Sequence, residues 1–278
     1  MRGLLIAAPL MALAALGINI LAAQMPFREY ESLEPYDVVE LPADWKVPGE
    51  FVFGRLMFPA HPHARFARMR GRIDWEYGGT SWAQDYPRAD RFLMSAVKRL
   101  TLIQTRSVEQ PVNLNDGDDV YNWPWLCAGE LGDWKLTDSQ IVKLRDYLKR
   151  GGSLFLDDFW GTEEWNRFNE TMSRVFPDSP AVEMQEDEQM LHILYDLGDR
   201  YQVPGQWALR SGSTYRNDGQ VPHWRAIYDE KGRAMVAIWF NNDLGDAWEW
   251  ADSPLYPERY SALALRVAVN HIVYSMSH

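Results

Sequence analysis

At 278 residues the chain is long enough for one large domain with a core of its own. A formal net charge of −11 repels a phosphate backbone, so nucleic acid is not an expected partner. The one cysteine, Cys127, leaves no internal disulfide to staple the fold.

The N-terminus has the three parts of a secretory signal. Arg2 supplies one positive charge, and Leu4 to Ala23 form an apolar run broken only by Pro9, Gly17 and Asn19. Small residues at Ala22 and Ala23 predict cleavage, with the mature chain starting near Gln24. A run of about 20 apolar residues can also span a bilayer. Residues 4–23 are then the only expected membrane contact, as an uncleaved anchor. Either way the domain is expected to be exported, to the periplasm or another extracytoplasmic space. Residues 24–50 are acidic and lack a clear period, and read as an extended tether. Residues 51–278 read as a single α/β domain.

A first strand is expected over Phe51–Phe58, ended by Pro59. Phe92, Leu93, Ala96, Val97 and Leu100 share one face of a helix over Pro87–Leu100. A strand is expected next over Leu102–Val108. Trp123–Ala128 reads as a short buried strand. Thr137 then opens a helix as a capping box with Gln140, and Gly151-Gly152 closes it. Ser153–Leu156 is a nearly continuous apolar strand, as when both sheet faces are covered. The unit is β-α-β, so its strands should run parallel. A helix over Thr162–Val175, a hairpin over 223–241 and a buried helix over Arg259–Ser275 complete the domain.

Ligands of open parallel sheets bind beyond the carboxyl ends of the strands. Three such ends carry polar residues: Cys127-Ala-Gly-Glu130, Asp157-Asp158 ahead of Trp160, and Asn241-Asn242-Asp243 followed by Asp246, Trp248 and Glu249. Asp157, Asp158, Asp243 and Glu249 are the candidate catalytic carboxylates, suited to acid–base work or to a cation. The favoured account of Asp157 and Asp158 is structural, one carboxylate capping the first N–H groups at 162–165 and the other paired to an arginine. Asp85, Glu130, Asp157, Asp158, Trp160, Asn242, Asp243 and Trp248 are the candidate ligand contacts. Asp85 fits either a helix cap or the same cleft. Cys127 sits in an apolar run and reads as an inert thiol. His61 and His63 have an i, i+2 spacing that is too little for zinc; His192 and His271 read as packed. No phosphate loop, dinucleotide fingerprint or Gly-x-Ser-x-Gly elbow is present, which weighs against an NTPase, a nicotinamide oxidoreductase and an α/β-hydrolase; no cofactor is expected and no metal ligand set is assigned.

A family resemblance follows from the ordered set Arg55-Leu56, Trp82 to Pro87 with Asp90, Thr101, Tyr121-Asn-Trp-Pro124, Leu136 to Tyr147 and Gly151-Gly152. It continues through Leu156-Asp-Asp-Phe-Trp-Gly161, Trp165, Gly232-Arg233, Asn242 to Glu249 and Asn270 to Tyr274. Over about residues 51–278 the chain resembles the bacterial exported proteins of domain of unknown function 4159. The resemblance implies a three-layer sandwich with a mostly parallel sheet, similar to the class I glutamine-amidotransferase-like, flavodoxin-related fold. The hairpin and the buried C-terminal helix are additions to it. In that fold the strand after the Gly-Gly turn leads to a nucleophilic cysteine; here Ser153–Leu156 leads to Asp157-Asp158. Two functions are therefore expected. One is a non-catalytic module whose acidic, aromatic cleft binds an envelope protein or glycan. The alternative is a carboxylate-dependent hydrolase, metal-assisted or not, acting on envelope glycan or peptide.

Overall fold

A computed structural model of the protein describes residues 24–34, 39–62 and 74–278. The signal expected over 1–23 and His63 lie outside the described residues. Among those described, no helix is long and apolar enough to cross a membrane.

The sheet has seven strands in the order β2-β1-β3-β4-β7-β6-β5. Its parallel part comprises β1 (Gly54–Met57), β2 (Gln110–Asn113), β3 (Trp125–Ala128), β4 (Ser153–Leu156) and β7 (Ala234–Phe240). Two further strands, β6 (His223–Tyr228) and β5 (Val182–Glu183), extend one edge in antiparallel fashion. Counted along the chain, the parallel strands follow a doubly wound order that reverses between β1 and β3.

Alternate side chains of the central strands leave on opposite faces, and both faces are covered. On one side Leu56, Leu126, Leu154, Leu156 and Ile238 meet α2 (Asp138–Lys149) and α3 (Gly161–Val175). On the other side Phe53, Trp125, Cys127, Phe155 and Trp239 meet α1 (Arg88–Leu100) and α6 (Glu258–Ser277). Two short helices, α4 (Gln206–Arg210) and α5 (Leu244–Glu249), lie near the carboxyl end of β7. The expected α/β class, the parallel β3–α2–β4 unit, the hairpin and the buried last helix are all present.

Three expectations change. No regular strand spans Leu102–Val108: Leu102 is 95% exposed, and Thr105 makes one isolated bridge to Phe51. The strand lies at Gln110–Asn113, at the sheet edge, where Pro111 can be accommodated despite its missing N–H. His192 is not packed but largely exposed, bonded to the Glu186 carbonyl and paired with Asp196. Residues 24–34 and 39–50 are irregular as expected, yet they lie against the domain. Leu33 is buried, Arg91 binds Glu29, and the Met25 N–H donates to Asp119. Cys127 is buried, and burial pushes its thiol well above the usual range. His271 is buried and accepts a hydrogen bond from Trp125 Nε1 at 2.7 Å.

The capping box on α2 is complete in both directions, Gln140 N to Thr137 Oγ1 and Thr137 N to Gln140 Oε1. Thr137→Ala is expected to lower unfolding stability by about 1 kcal/mol. Urea denaturation checks this, and an unchanged midpoint would contradict the cap.

Candidate functional site

At the end of β4, Asp157 and Asp158 diverge. The Asp157 Oδ2 atom accepts from the N–H groups of Leu244 (2.8 Å) and Gly245 (2.9 Å), so it caps α5. The first turn of α3 is served by other groups: Asn241 Oδ1 takes the Gly161 N–H, and Asp218 takes that of Thr162. Capping therefore holds for Asp157, but on α5, not on the helix that follows it in sequence. Asp158 has the expected arginine partner. Arg216 donates to Asp158 Oδ1 at 2.5 Å and to Glu130 Oε1 at 3.1 Å, and Trp160 Nε1 donates to the same Asp158 oxygen.

At the end of β7, Asn242 is structural. Its Oδ1 accepts from the Val203 N–H, and its Nδ2 donates to the Phe240 carbonyl. Asp243 caps α5 through the Asp246 N–H at 3.0 Å. The Asp246 carboxylate accepts from the Gln206 N–H and from Trp250 Nε1. Asp85 precedes α1 but gives that helix no side-chain cap. Its carboxylate accepts from Gln84 Nε2 at 3.1 Å and faces the cluster. A further carboxylate comes from the N-terminal segment. Glu34 accepts from Gln84 Nε2 (2.8 Å) and from the Asp85 N–H (3.2 Å).

These side chains converge. Carboxylate oxygens of Glu34, Asp85 and Glu249 lie within 4.8 Å of one another, and so do those of Asp85, Asp243 and Asp246. Two glycines permit the approach. A Cβ at Gly205 would meet Asp243 Oδ2 at 2.3 Å, and one at Gly245 would meet Asp85 Oδ2 at 2.3 Å. Four non-glycine residues around the centre, Asp85, Glu130, Asp158 and Asn241, have φ between 50° and 60°. Such left-handed backbone is uncommon outside glycine and concentrates at functional sites.

Burial, then mutual repulsion, raises most of these acids. Burial and Asp246 push Glu34 up to about 7, and burial, Glu34 and Asp246 push Glu249 up to about 10. Asp157 rises to about 7 by burial and its neighbour Asp158, against the N–H groups of α5. Asp85, Asp243 and Glu130 are held well above the carboxylate range, first by burial and then by adjacent acids. Burial opposes the charge on Arg216, but Asp158 and Glu130 outweigh it and keep the guanidinium charged. Neither oxygen of Glu249 has a hydrogen-bond partner among the described residues, although the residue is fully buried.

The two tryptophans expected to line a cleft do not. Trp248 is fully buried and packs edge-on to Phe53 and against Phe155. Trp160 is also fully buried, beneath the Arg216 guanidinium. Two members of the site are absent from the sequence expectation, Glu34 and Arg216, and Asp246 is named there at its strand end but not among the candidate contacts. Glu34 and Arg216 lie in irregular chain with no period to mark them. Asp246 did carry a signal. Asp243, Asp246 and Glu249 are spaced by three, which places them along one side of a helix.

The fold and site together define a cluster of buried and half-buried carboxylates at the carboxyl ends of a mostly parallel α/β sheet. Residues 68–276 match the family described as Domain of unknown function (DUF4159), and the chain belongs to that family. The match leaves out β1 and Glu34, which the chain folds against the matched region. No curated protein matches the chain.

Glu249 fixes a pH dependence. Its folded-state value of about 10 exceeds the ordinary 4.5, so between those limits the folded state keeps a proton that the unfolded state has lost. Its contribution therefore falls as pH rises from about 4.5 towards 10. In metal-free buffer, Glu249→Gln is expected to raise the thermal midpoint at pH 8 by at least about 2–4 °C, the equivalent of ~1 kcal/mol at this size. The gain should vanish near pH 4. Equal midpoints at pH 8 would contradict the assignment.

Proposed function

We propose that the protein is a carboxylate-dependent hydrolase, assisted by a divalent cation, acting outside the cytoplasm on a glycan or peptide of the cell envelope. The carrying observation is the pair of carboxylate groups that share Asp85 in a buried setting. Hard divalent cations take oxygen ligands, and a cluster of unneutralised acids is the environment that draws one in. A bound cation would polarise the scissile group and make bound water acidic enough to deprotonate near neutral pH.

The chain's own groups supply the rest. Glu34 is half-buried and held in place by Gln84 and the Asp85 N–H, so its carboxylate is positioned to serve the same centre as an oxygen ligand. Arg216 is anchored by Asp158 and Glu130, and its buried Nε has no partner among the described residues. That N–H is suited to a substrate oxygen. The export part of the proposal is supported by the signal-like pattern of residues 1–23.

The strand order supports the finer reading of the fold as glutamine-amidotransferase-like. Amidotransferase chemistry is not part of the proposal, because Asp157 and Asp158 follow β4, and Cys127 lies inside β3 with a raised thiol. The reading as a non-catalytic binding module rests on a cleft of Asp157, Asp158, Trp160, Asn242, Asp243 and Trp248; with Trp160 and Trp248 packed into the core it loses its aromatic walls, while the grouping of carboxylates favours the hydrolase.

A panel of envelope glycans and peptides, run with Mg²⁺, Mn²⁺ or Ca²⁺ and with chelator, tests the proposal. Turnover is expected with a cation, is abolished by chelator, and falls about 10²-fold or more in Asp85→Asn. No turnover of any substrate with any of the cations would overturn it.

A further inference from the structure

We propose that the acidic centre holds two divalent cations bridged by Asp85, one completed by Asp243 and Asp246 and the other by Glu34 and Glu249. This deepens the hydrolase reading and rests on it for a role in turnover, but cation binding is measured without substrate.

The first support is the grouping itself. The five carboxylates fall into two sets of three with Asp85 in both, not into one set of five. Ligand oxygens on a common cation stand about 2.0–2.6 Å from it, so they lie no more than roughly 5 Å from each other. Each set meets that limit at 4.8 Å. A carboxylate has two oxygens, and Asp85 can give one to each position. Paired cations in hydrolytic centres commonly sit about 3.5–4 Å apart, within the span of one bridging carboxylate.

Glu249 is the independent support. It is fully buried, its oxygens reach into the Glu34–Asp85 set, and neither has a hydrogen-bond donor among the described residues. Every other carboxylate in the cluster has at least one: Glu34 and Asp85 from Gln84, Asp243 from the Asp246 N–H, and Asp246 from Gln206 and Trp250. Leaving a buried carboxylate unpartnered is strongly unfavourable. A cation between Glu249, Glu34 and Asp85 gives it the counter-charge that its acidic neighbour Asp246 cannot.

Charge completes the case. If binding displaces the protons of the five carboxylates, two dications nearly neutralise them, whereas one dication leaves most of that charge buried. Among the described residues, Arg55, Arg88 and Arg216 act on the cluster, and all are engaged elsewhere, Arg55 with Asp90. Arg88 pairs with Asp252, and Arg216 with Glu130 and Asp158.

Metal-free full-length protein is titrated with Mn²⁺, counted by equilibrium dialysis and followed by electron paramagnetic resonance. The expected result is two Mn²⁺ per chain with the broadened signal of a spin-coupled pair. Glu249→Gln and, as a milder change at a half-buried position, Glu34→Gln should each bind one Mn²⁺ with an uncoupled six-line spectrum. One Mn²⁺ or none in the wild type, or two coupled Mn²⁺ retained in a folded Glu34→Gln variant, would overturn the inference. Two Mn²⁺ in a protein that hydrolyses nothing would overturn the hydrolase reading and leave this one standing. Turnover supported by a single bound cation would do the reverse.

Discussion

Mutual repulsion among buried carboxylates is the constraint around which the polar end of the sheet is built. Asp85 lies within 4.8 Å of two different carboxylate pairs, all of them removed wholly or partly from water. Like charges at such distances in a poorly solvated setting cannot all ionise without a counter-charge. The surrounding structure answers only part of this. Asp157 is met by the amino end of α5, Asp158 and Glu130 by Arg216, and Asp243 and Asp246 by backbone N–H groups. Glu249 receives no hydrogen bond from the described chain, its near side-chain neighbour being another acid, Asp246, and that gap gives the cluster its chemical character.

The apolar body of the domain makes the arrangement possible. Covering both faces of β3, β4 and β7 fixes where each strand stops, and the acids sit at those stops or one turn beyond. Left-handed residues at Asp85, Glu130, Asp158 and Asn241 then turn the chain sharply. Such backbone costs on the order of 1–3 kcal/mol per residue and persists only where the packing around it over-determines the conformation. The large buried aromatics, Trp125, Phe155, Trp239 and Trp248 among them, form that packing beneath the site.

The periodic parts of the fold were legible in the sequence. The apolar run of β4, the capping box of α2 and the stripe on α1 depend on local spacing, and local spacing is what a sequence displays. The strand β2 was placed too early because Leu102–Val108 has the better strand composition, while Pro111 marks Gln110–Asn113 as an edge. The site was half legible. Asp85, Asp157, Asp158, Asp243 and Glu249 stand beside strand ends or helix starts and could be named. Glu34 and Arg216 could not, since each joins the site through a long-range contact, Glu34 to Asp85 and Arg216 to Glu130. Which of two adjacent carboxylates caps which helix is likewise set by topology, since α5 follows β7, the spatial neighbour of β4.

Membership of a family without an assigned activity places the weight of any functional account on this centre. Its central claim is that Asp85 and its neighbours form a cation site. Anomalous diffraction from crystals of the protein soaked in Mn²⁺ tests that most directly. Peaks within about 2.0–2.6 Å of Asp85 oxygens, shared with Asp243 and Asp246 and with Glu34 and Glu249, are the expected result. A map with no anomalous peak at the cluster, while the soaked cation is bound elsewhere, would contradict the account.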